Sequence, residues 1–202
     1  MRNILIASGN KNKIREIKDK FKNTDINFIE LIEEFDPEET GETLQENARI
    51  KAVALKDVLN KDIIERFNIT GIISDDSGLF IEGLNGRPGV RSARYAGENK
   101  DFNANIEKVL KETQNIFNRS AYMETVICYI DLVTNKISFF IGKAYGGITF
   151  KPIGNNGFAY DSIFFSDELN KTFGEATIEE KQEVSSRAKA LESFKEYIEK
   201  KN

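Results

Sequence analysis

Two adjacent carboxylates, Asp75 and Asp76, follow directly on the short apolar strand Gly71-Ile72-Ile73-Ser74 and lead into Ser77-Gly78. Paired acids at the end of a strand suit a divalent cation bound through oxygen, and they can orient a water for attack on phosphorus. Successive side chains on a strand point to opposite faces, so one of the two acids would serve the reaction. The same four residues also suit an Asx turn, and both readings stay open on spacing alone. The acidic run Pro37-Glu38-Glu39-Thr40-Gly41-Glu42 is ordinarily a solvated face, yet one carboxylate there could complete a metal site begun by Asp76. Lys51 either reaches a phosphate or forms a helix-surface ion pair, and its separation from Glu46 does not match the usual i,i+4 spacing.

Near the N-terminus, Ser8-Gly9-Asn10-Lys11-Asn12-Lys13 joins a glycine turn, a helix start and two lysines. Backbone N–H groups, the positive end of a helix dipole and ammonium groups together suit phosphate. The spacing is not that of a Walker loop, and a plain strand-to-helix turn with solvated lysines remains the competing account. A fourth group comprises Phe158-Ala159-Tyr160-Asp161 after Gly157, with Lys181, Ser185, Ser186 and Arg187. A ring can stack on a base, an Asp can accept from ring N–H groups, and Arg or Ser can donate to an oxo group. Aromatics in a strand are more often core.

Composition narrows the chemistry. The chain of 202 residues contains no histidine, which removes imidazole as base, metal ligand or partner of a nucleophile. Zinc is disfavoured, since clustered cysteines are missing too. The one cysteine, Cys128, lies in an apolar run and reads as a buried thiol in a reducing compartment. With 31% charged and 40% hydrophobic residues the chain is an ordinary globular one, and a net charge of −4 gives no global attraction to nucleic acid or anionic membrane. No segment approaches the ~18 apolar residues of a membrane span, so a cytoplasmic protein is expected.

The elements that must hold these groups follow from periodicity. Residues 3–7 read as a buried strand, followed by a helix with Ile14, Ile17 and Phe21 on one face. A second strand is expected over 28–32 and a loop over 33–42; Leu44, Ala48, Ala52, Leu55 and Leu59 then mark a long helix. An ordered glycine-rich loop spans 83–97 and a helix 102–110. The stretches 121–133 and 137–148 suit an antiparallel hairpin around Thr134-Asn135. The turn 155–157 precedes an aromatic stretch at 158–165 read as strand. Thr177 and Glu180 form a capping-box pattern for a last helix with Val184, Leu191, Phe194 and Ile198 inward. Lys181 and Arg187 would lie about 120° apart on an unbroken helix, so a break near Ser185 is expected if both face one ligand. Mixed strands and helices in this order indicate an α/β architecture, and the whole of 1–202 is taken as one domain.

In order along the chain, SGNKNKIREI (8–17), EETGETLQENARIKA (38–52), DDSGLFIEGLNGRPGVRSARYAG (75–97), GFAYDSIFF (157–165) and EEKQEVSSRAKAL (179–191) resemble the inosine triphosphate pyrophosphatase, or Ham1-like, family. The resemblance implies an elongated α/β fold with a central mixed sheet flanked by helices, a cleft between two lobes, and usually a homodimer. It implies Mg²⁺-dependent hydrolysis of ITP, dITP and XTP at the α-phosphorus with release of pyrophosphate. By that similarity Ser8, Gly9, Asn10, Lys11, Asn12 and Lys13 would hold the triphosphate with help from Lys51. Glu38 and Asp76 would bind the metal, Asp76 would also activate water, Asp75 would support the site and Ser77 would contact substrate. Phe158, Ala159, Tyr160, Asp161, Lys181, Ser186 and Arg187 would form the base side.

Three positions depart from the family pattern. Ser185-Ser186-Arg187 stands where the family reads Ser-His-Arg, Ala159 replaces the usual glycine of GFGYD, and Ser162 replaces the proline that follows. The metal and phosphate residues are unaffected, so activity is expected to persist with an altered base preference. The competing readings are a Maf-like nucleotide pyrophosphatase of different base preference and a nucleotide-binding module without turnover.

Overall fold

The computed structural model describes residues 2–30 and 35–200. In chain order the elements are β1 (Arg2–Ile6), α1 (Lys11–Lys20), β2 (Ile26–Ile29), α2 (Leu44–Val58), α3 (Lys61–Arg66), β3 (Ile69–Ile81), β4 (Pro88–Gly89), α4 (Phe102–Thr113), β5 (Ser120–Asp131), β6 (Ile137–Ile148), β7 (Phe164–Ser166), β8 (Lys171–Thr172), α5 (Ile178–Val184) and α6 (Ser186–Glu199). The hydrogen-bonded order is β2-β1-β3-β5-β6-β7-β8, with β4 on β3. Parallel pairs join β1 to β2 and β3, while β3–β4, β6–β7 and β7–β8 are antiparallel. The sheet is therefore mixed and the class is α/β, as expected.

The chain divides into two compact units, the first made of 1–76, 126–141 and 190–202, the second of 77–125 and 142–189. The first unit has two apolar clusters. One gathers Ile4, Ile6, Ile14, Ile17, Phe21, Tyr129 and Phe194, and the other gathers Leu5, Ala48, Ala52, Leu55, Ile72 and Cys128. Small residues at 48 and 52 let α2 approach the strands closely, and the capping box of Thr43 with Glu46 fixes where that helix begins. Cys128 is buried, as read from the sequence, and burial pushes its thiol up to about 12. The second unit has its own core of Leu79, Ile81, Val109, Tyr160, Ile163, Phe164 and Phe173. Its loop at 83–97 is ordered: Ser92 Oγ accepts from Leu79 N at 2.8 Å and donates to Gly89 O at 2.6 Å.

Four local expectations are revised. β2 starts earlier than residue 28, and positions 31 and 32 of the expected strand lie outside the described residues. The six-residue helix α3 was not foreseen; none of its residues is fully buried, so it leaves no apolar period to read. β3 does not end before the acids but runs through Asp75 and Asp76 to Ile81. Mid-strand carboxylates are tolerated there because each meets an ammonium group. The stretch 158–163 is a turn rather than a strand, since Phe158 N donates to the Asp161 carboxylate at 2.8 Å and Gly157 and Ala159 take φ of 75° and 52°. The helix break at Ser185 is present, with Ser185 Oγ accepting from Ala188 N at 3.2 Å.

Candidate active site

The first unit assembles a charged cluster on three elements. Lys51 of α2 places Nζ 2.8 Å from Glu39 Oε1 and 3.0 Å from Asp76 Oδ1. Lys13 of α1 places Nζ 3.0 Å from Asp75 Oδ2. Ser74 Oγ donates to Ala48 O at 2.5 Å, tying β3 to α2 beside the acids. Asp75, Asp76 and Lys51 are all buried. Burial is the largest influence on Asp76 and, with the nearby Glu39 charge, raises its carboxyl above the usual 3.8 against the pull of Lys51 and Lys13. Burial works to lower Lys51, but the carboxylates of Asp76, Glu39 and Asp75 outweigh it and leave the ammonium raised. Lys51 is held charged by all of them, whereas Asp76 shares its cation.

Lys51 makes an inward bridge between two acids and not the helix-surface pair weighed from the sequence. Its acidic partner from the loop is Glu39, while Glu38 is exposed. Exposure alternates along 35–40, with Phe35, Pro37 and Glu39 the less exposed members. Phe35 packs against the core, and the parity of an extended chain then turns Glu39 the same way. That parity was readable from the sequence, anchored on the one large apolar residue of the loop.

The turn at 8–13 keeps several of its donors for itself. Asn10 N donates to Ser8 Oγ at 3.2 Å, and Asn12 N and Lys13 N donate to Asn10 Oδ1 at 3.0 and 3.2 Å. What the segment exposes is Gly9 and Lys11. Among the described residues no group of three or more His, Cys, Asp or Glu side chains forms a metal cage. Two carboxylates converging on one ammonium nonetheless make a position suited to concentrated positive charge. All-oxygen donors of that number fit a hard divalent ion that completes its shell with water and phosphate oxygens.

The second unit assembles the other predicted group. Lys181 Nζ lies 2.6 Å from Asp161 Oδ2 and 4.8 Å from the Phe158 ring centroid, and Arg187 Cζ lies 5.8 Å from the same centroid. The break at Ser185 therefore brings both cations to one ring. Arg187 Nη2 donates to Ser77 Oγ at 3.1 Å, and Ser77 and Ser186 each bond the hydroxyl of Thr125. Tyr160 behaves differently: its ring lies in the core, its hydroxyl donates to Ser92 O at 2.7 Å, and burial raises its phenol. Ala159 carries the left-handed backbone that a glycine adopts freely, at a cost of about 1 kcal/mol. Thr125 had no part in the sequence reading; a threonine inside a β-rich run gives no signal of its own.

A family model described as the Ham1 family matches residues 4–197. A dITP/XTP pyrophosphatase of Staphylococcus epidermidis (strain ATCC 12228) is 46% identical over 200 residues, covering 98% of this chain and 97% of the relative. The solved Ham1 protein of Staphylococcus aureus superposes with a TM-score of 0.84 at 39% identity, covering both chains completely. A HAM1 protein from Coxiella burnetii gives a TM-score of 0.84 at 34% identity, covering 99% of this chain and 100% of that one.

Proposed function

The chain belongs to the Ham1 family, and from that premise we propose that it hydrolyses ITP, dITP and XTP to the monophosphate and pyrophosphate. The observation that carries the reading is the buried bridge of Lys51 between Glu39 and Asp76, with Lys13 on Asp75 beside it. With three carboxylates against two ammonium groups the array is acidic, so it suits a polyanionic substrate that arrives with a divalent cation, the lysines meeting phosphate and the acids meeting metal.

Asp76 takes the proton of a water whose oxygen attacks the α-phosphorus, its carboxylate held in place by Lys51 at 3.0 Å. The new P–O bond forms as the bond to the bridging oxygen breaks, and pyrophosphate leaves with the electron pair. Lys13, Lys51, Lys11 and the remaining donors of 8–13 balance the triphosphate, while Asp75 orients Lys13. A divalent ion, here Mg²⁺, would be held by Asp76 with Glu39 or Glu38 and would supply charge neutralisation at the phosphate oxygens. Phe158, Asp161, Lys181, Ser186 and Arg187, with Ser77, receive the base and its sugar, and Ala159 and Tyr160 shape the turn that carries Phe158. The reading includes action of 1–202 as one domain, in keeping with its length, a homodimer, supported by the family resemblance, and a cytoplasmic location, supported by the lone buried thiol of Cys128. No helix among the described residues is long and apolar enough to cross a membrane.

The test is product analysis with purified protein, Mg²⁺ and each of ITP, dITP and XTP. Pyrophosphate and monophosphate are expected in equal amounts, and Asp76→Asn should lower kcat by about 10²–10⁴-fold. Orthophosphate as product, or no product from any of the three, overturns the reading.

A further inference from the structure

Within the second unit a guanidinium and three hydroxyls form an unbroken line. Arg187 Nη2 donates to Ser77 Oγ at 3.1 Å, Ser77 Oγ lies 2.9 Å from Thr125 Oγ1, and Thr125 Oγ1 lies 2.9 Å from Ser186 Oγ. Thr125 sits in the middle and is 1% exposed. We propose that Thr125 is a positioning residue for base recognition: it relays the polarity set by Arg187 to Ser186, so that Ser186 presents a proton to a 6-oxo purine. This rests on the reading above, in which Ser186 and Arg187 meet the base.

The argument is one of proton counting. A hydroxyl has one proton and two lone pairs. Thr125 has two hydroxyl neighbours and a single proton, so it donates to one neighbour at most and accepts from the other. A guanidinium cannot accept, which fixes the first bond as Arg187 to Ser77. With a lone pair of Ser77 committed to a cation, its own proton becomes more acidic, and in the proposed line it goes to Thr125 Oγ1, 2.9 Å away. Thr125 then donates to Ser186, and hydrogen bonds in such a chain reinforce one another. The last hydroxyl accepts from Thr125 and keeps its own proton for a ligand.

That end of the line is the position where the family pattern has a histidine and this chain has a shorter side chain. An isolated serine would serve equally as donor or acceptor and could not separate a 6-oxo from a 6-amino purine. Held from behind by Thr125, it is biased towards donation. A 6-oxo group accepts that proton, whereas a 6-amino group meets it with protons of its own. Discrimination against the amino purine is then a consequence of the line and not of Ser186 alone.

The experiment compares kcat/KM for dITP and dATP in the full chain carrying Thr125→Val, Thr125→Ser or Ser186→Ala. Valine keeps the branched shape and removes the hydroxyl. The dITP to dATP ratio should fall about tenfold in Thr125→Val, mainly through a higher KM for dITP, with kcat changed less than about threefold. Thr125→Ser should keep the ratio within about twofold, and Ser186→Ala should reproduce the fall without adding to it when combined with Thr125→Val. A ratio unchanged in Thr125→Val overturns the proposal, even with a lower melting temperature, because a packing role predicts that outcome. Should Thr125→Val fail to fold, an unchanged ratio in Ser186→Ala overturns it equally. If the wild type turns over neither nucleotide, the functional reading has failed on its own. Calorimetric affinities for dIMP and dAMP in the same variants then test the line, with the same tenfold change expected and its absence overturning the relay.

Discussion

In the first unit two lysines are shared among three carboxylates, whereas the second sets one ion pair, Lys181 with Asp161, beside a line of hydroxyls and an aromatic ring. In the first, Lys51 serves two acids at 2.8 and 3.0 Å, so neutralising one member alters the charge state of the others. A buried charge left without its partner costs several kcal/mol, which makes such a cluster close to all-or-none. In the second, the line through Ser77, Thr125 and Ser186 is made of neutral hydroxyl bonds, each contributing about 1 kcal/mol. Losing one of these changes a preference by a modest factor and leaves the rest standing. On the proposed reading the two units suit two tasks, the first a rate that is present or absent, the second a base preference that can be tuned. Ser186 in place of the family's histidine falls on the tunable side.

The sharpest way to break this contrast lies at the acidic loop. Glu39 reaches Lys51, whereas Glu38 is exposed. Glu39→Gln is expected to lower kcat for dITP by about 10²-fold and to raise the Mg²⁺ concentration needed for half-maximal rate, since a charged metal or lysine partner is lost. Glu38→Gln is expected to stay within about threefold, as for an exposed residue. Steady-state rates across a Mg²⁺ series decide between them. The reverse ranking would return the second carboxylate to Glu38 and leave Glu39 as a structural anchor for Lys51.

That pair of residues also shows what the sequence discloses and what it withholds. Type and order were legible: strand, turn and helix at 2–20, the capping box at Thr177, and the helix break at Ser185 all rest on local chemistry that acts within a few residues. The acids, lysines and base-side cations could be named for the same reason, since so few residue types can do that chemistry. What failed depended on partners distant in the chain. β3 continues through Asp75 and Asp76 because Lys13 and Lys51 neutralise them there, and no window around residue 75 contains those lysines. The aromatic run at 158–163 looked extended by composition, but Asp161 turned back on Phe158 N decides otherwise. Thr125 gains its part solely from Ser77 and Ser186, which lie 48 and 61 residues away.

A smaller effect is expected where the family residue is restored. In Ser186→His the ring brings a directed N–H donor to the base side but cannot keep the short hydroxyl bond to Thr125 at 2.9 Å. The ITP to GTP ratio of kcat/KM should change by about three- to tenfold, the range of one hydrogen bond gained against one lost. Its direction reports which donor suits the 6-oxo edge better. An unchanged ratio would mean that residue 186 does not meet the base, and the tunable character of the second unit would then have to rest on Arg187 and Lys181.

The smallest functional effect should come from Tyr160, which sequence similarity counted among the substrate residues. Its ring belongs to the core of the second unit, and its hydroxyl donates to Ser92 O at 2.7 Å. Its carbonyl accepts from Ile163 N and Phe164 N, both at 3.0 Å, so the backbone is also occupied by the turn. Tyr160→Phe leaves the ring in place and strands a buried carbonyl, a change worth about 1–2 kcal/mol. For a chain of this length that corresponds to a melting temperature lower by about 2–8 °C. KM for dITP should move less than about twofold, because nothing that faces the Phe158 ring is altered. Thermal unfolding and steady-state kinetics on one preparation separate the two roles. A large rise in KM with little loss of stability would show that the hydroxyl leaves Ser92 for the nucleotide, and would move Tyr160 from the frame of the site into the site itself.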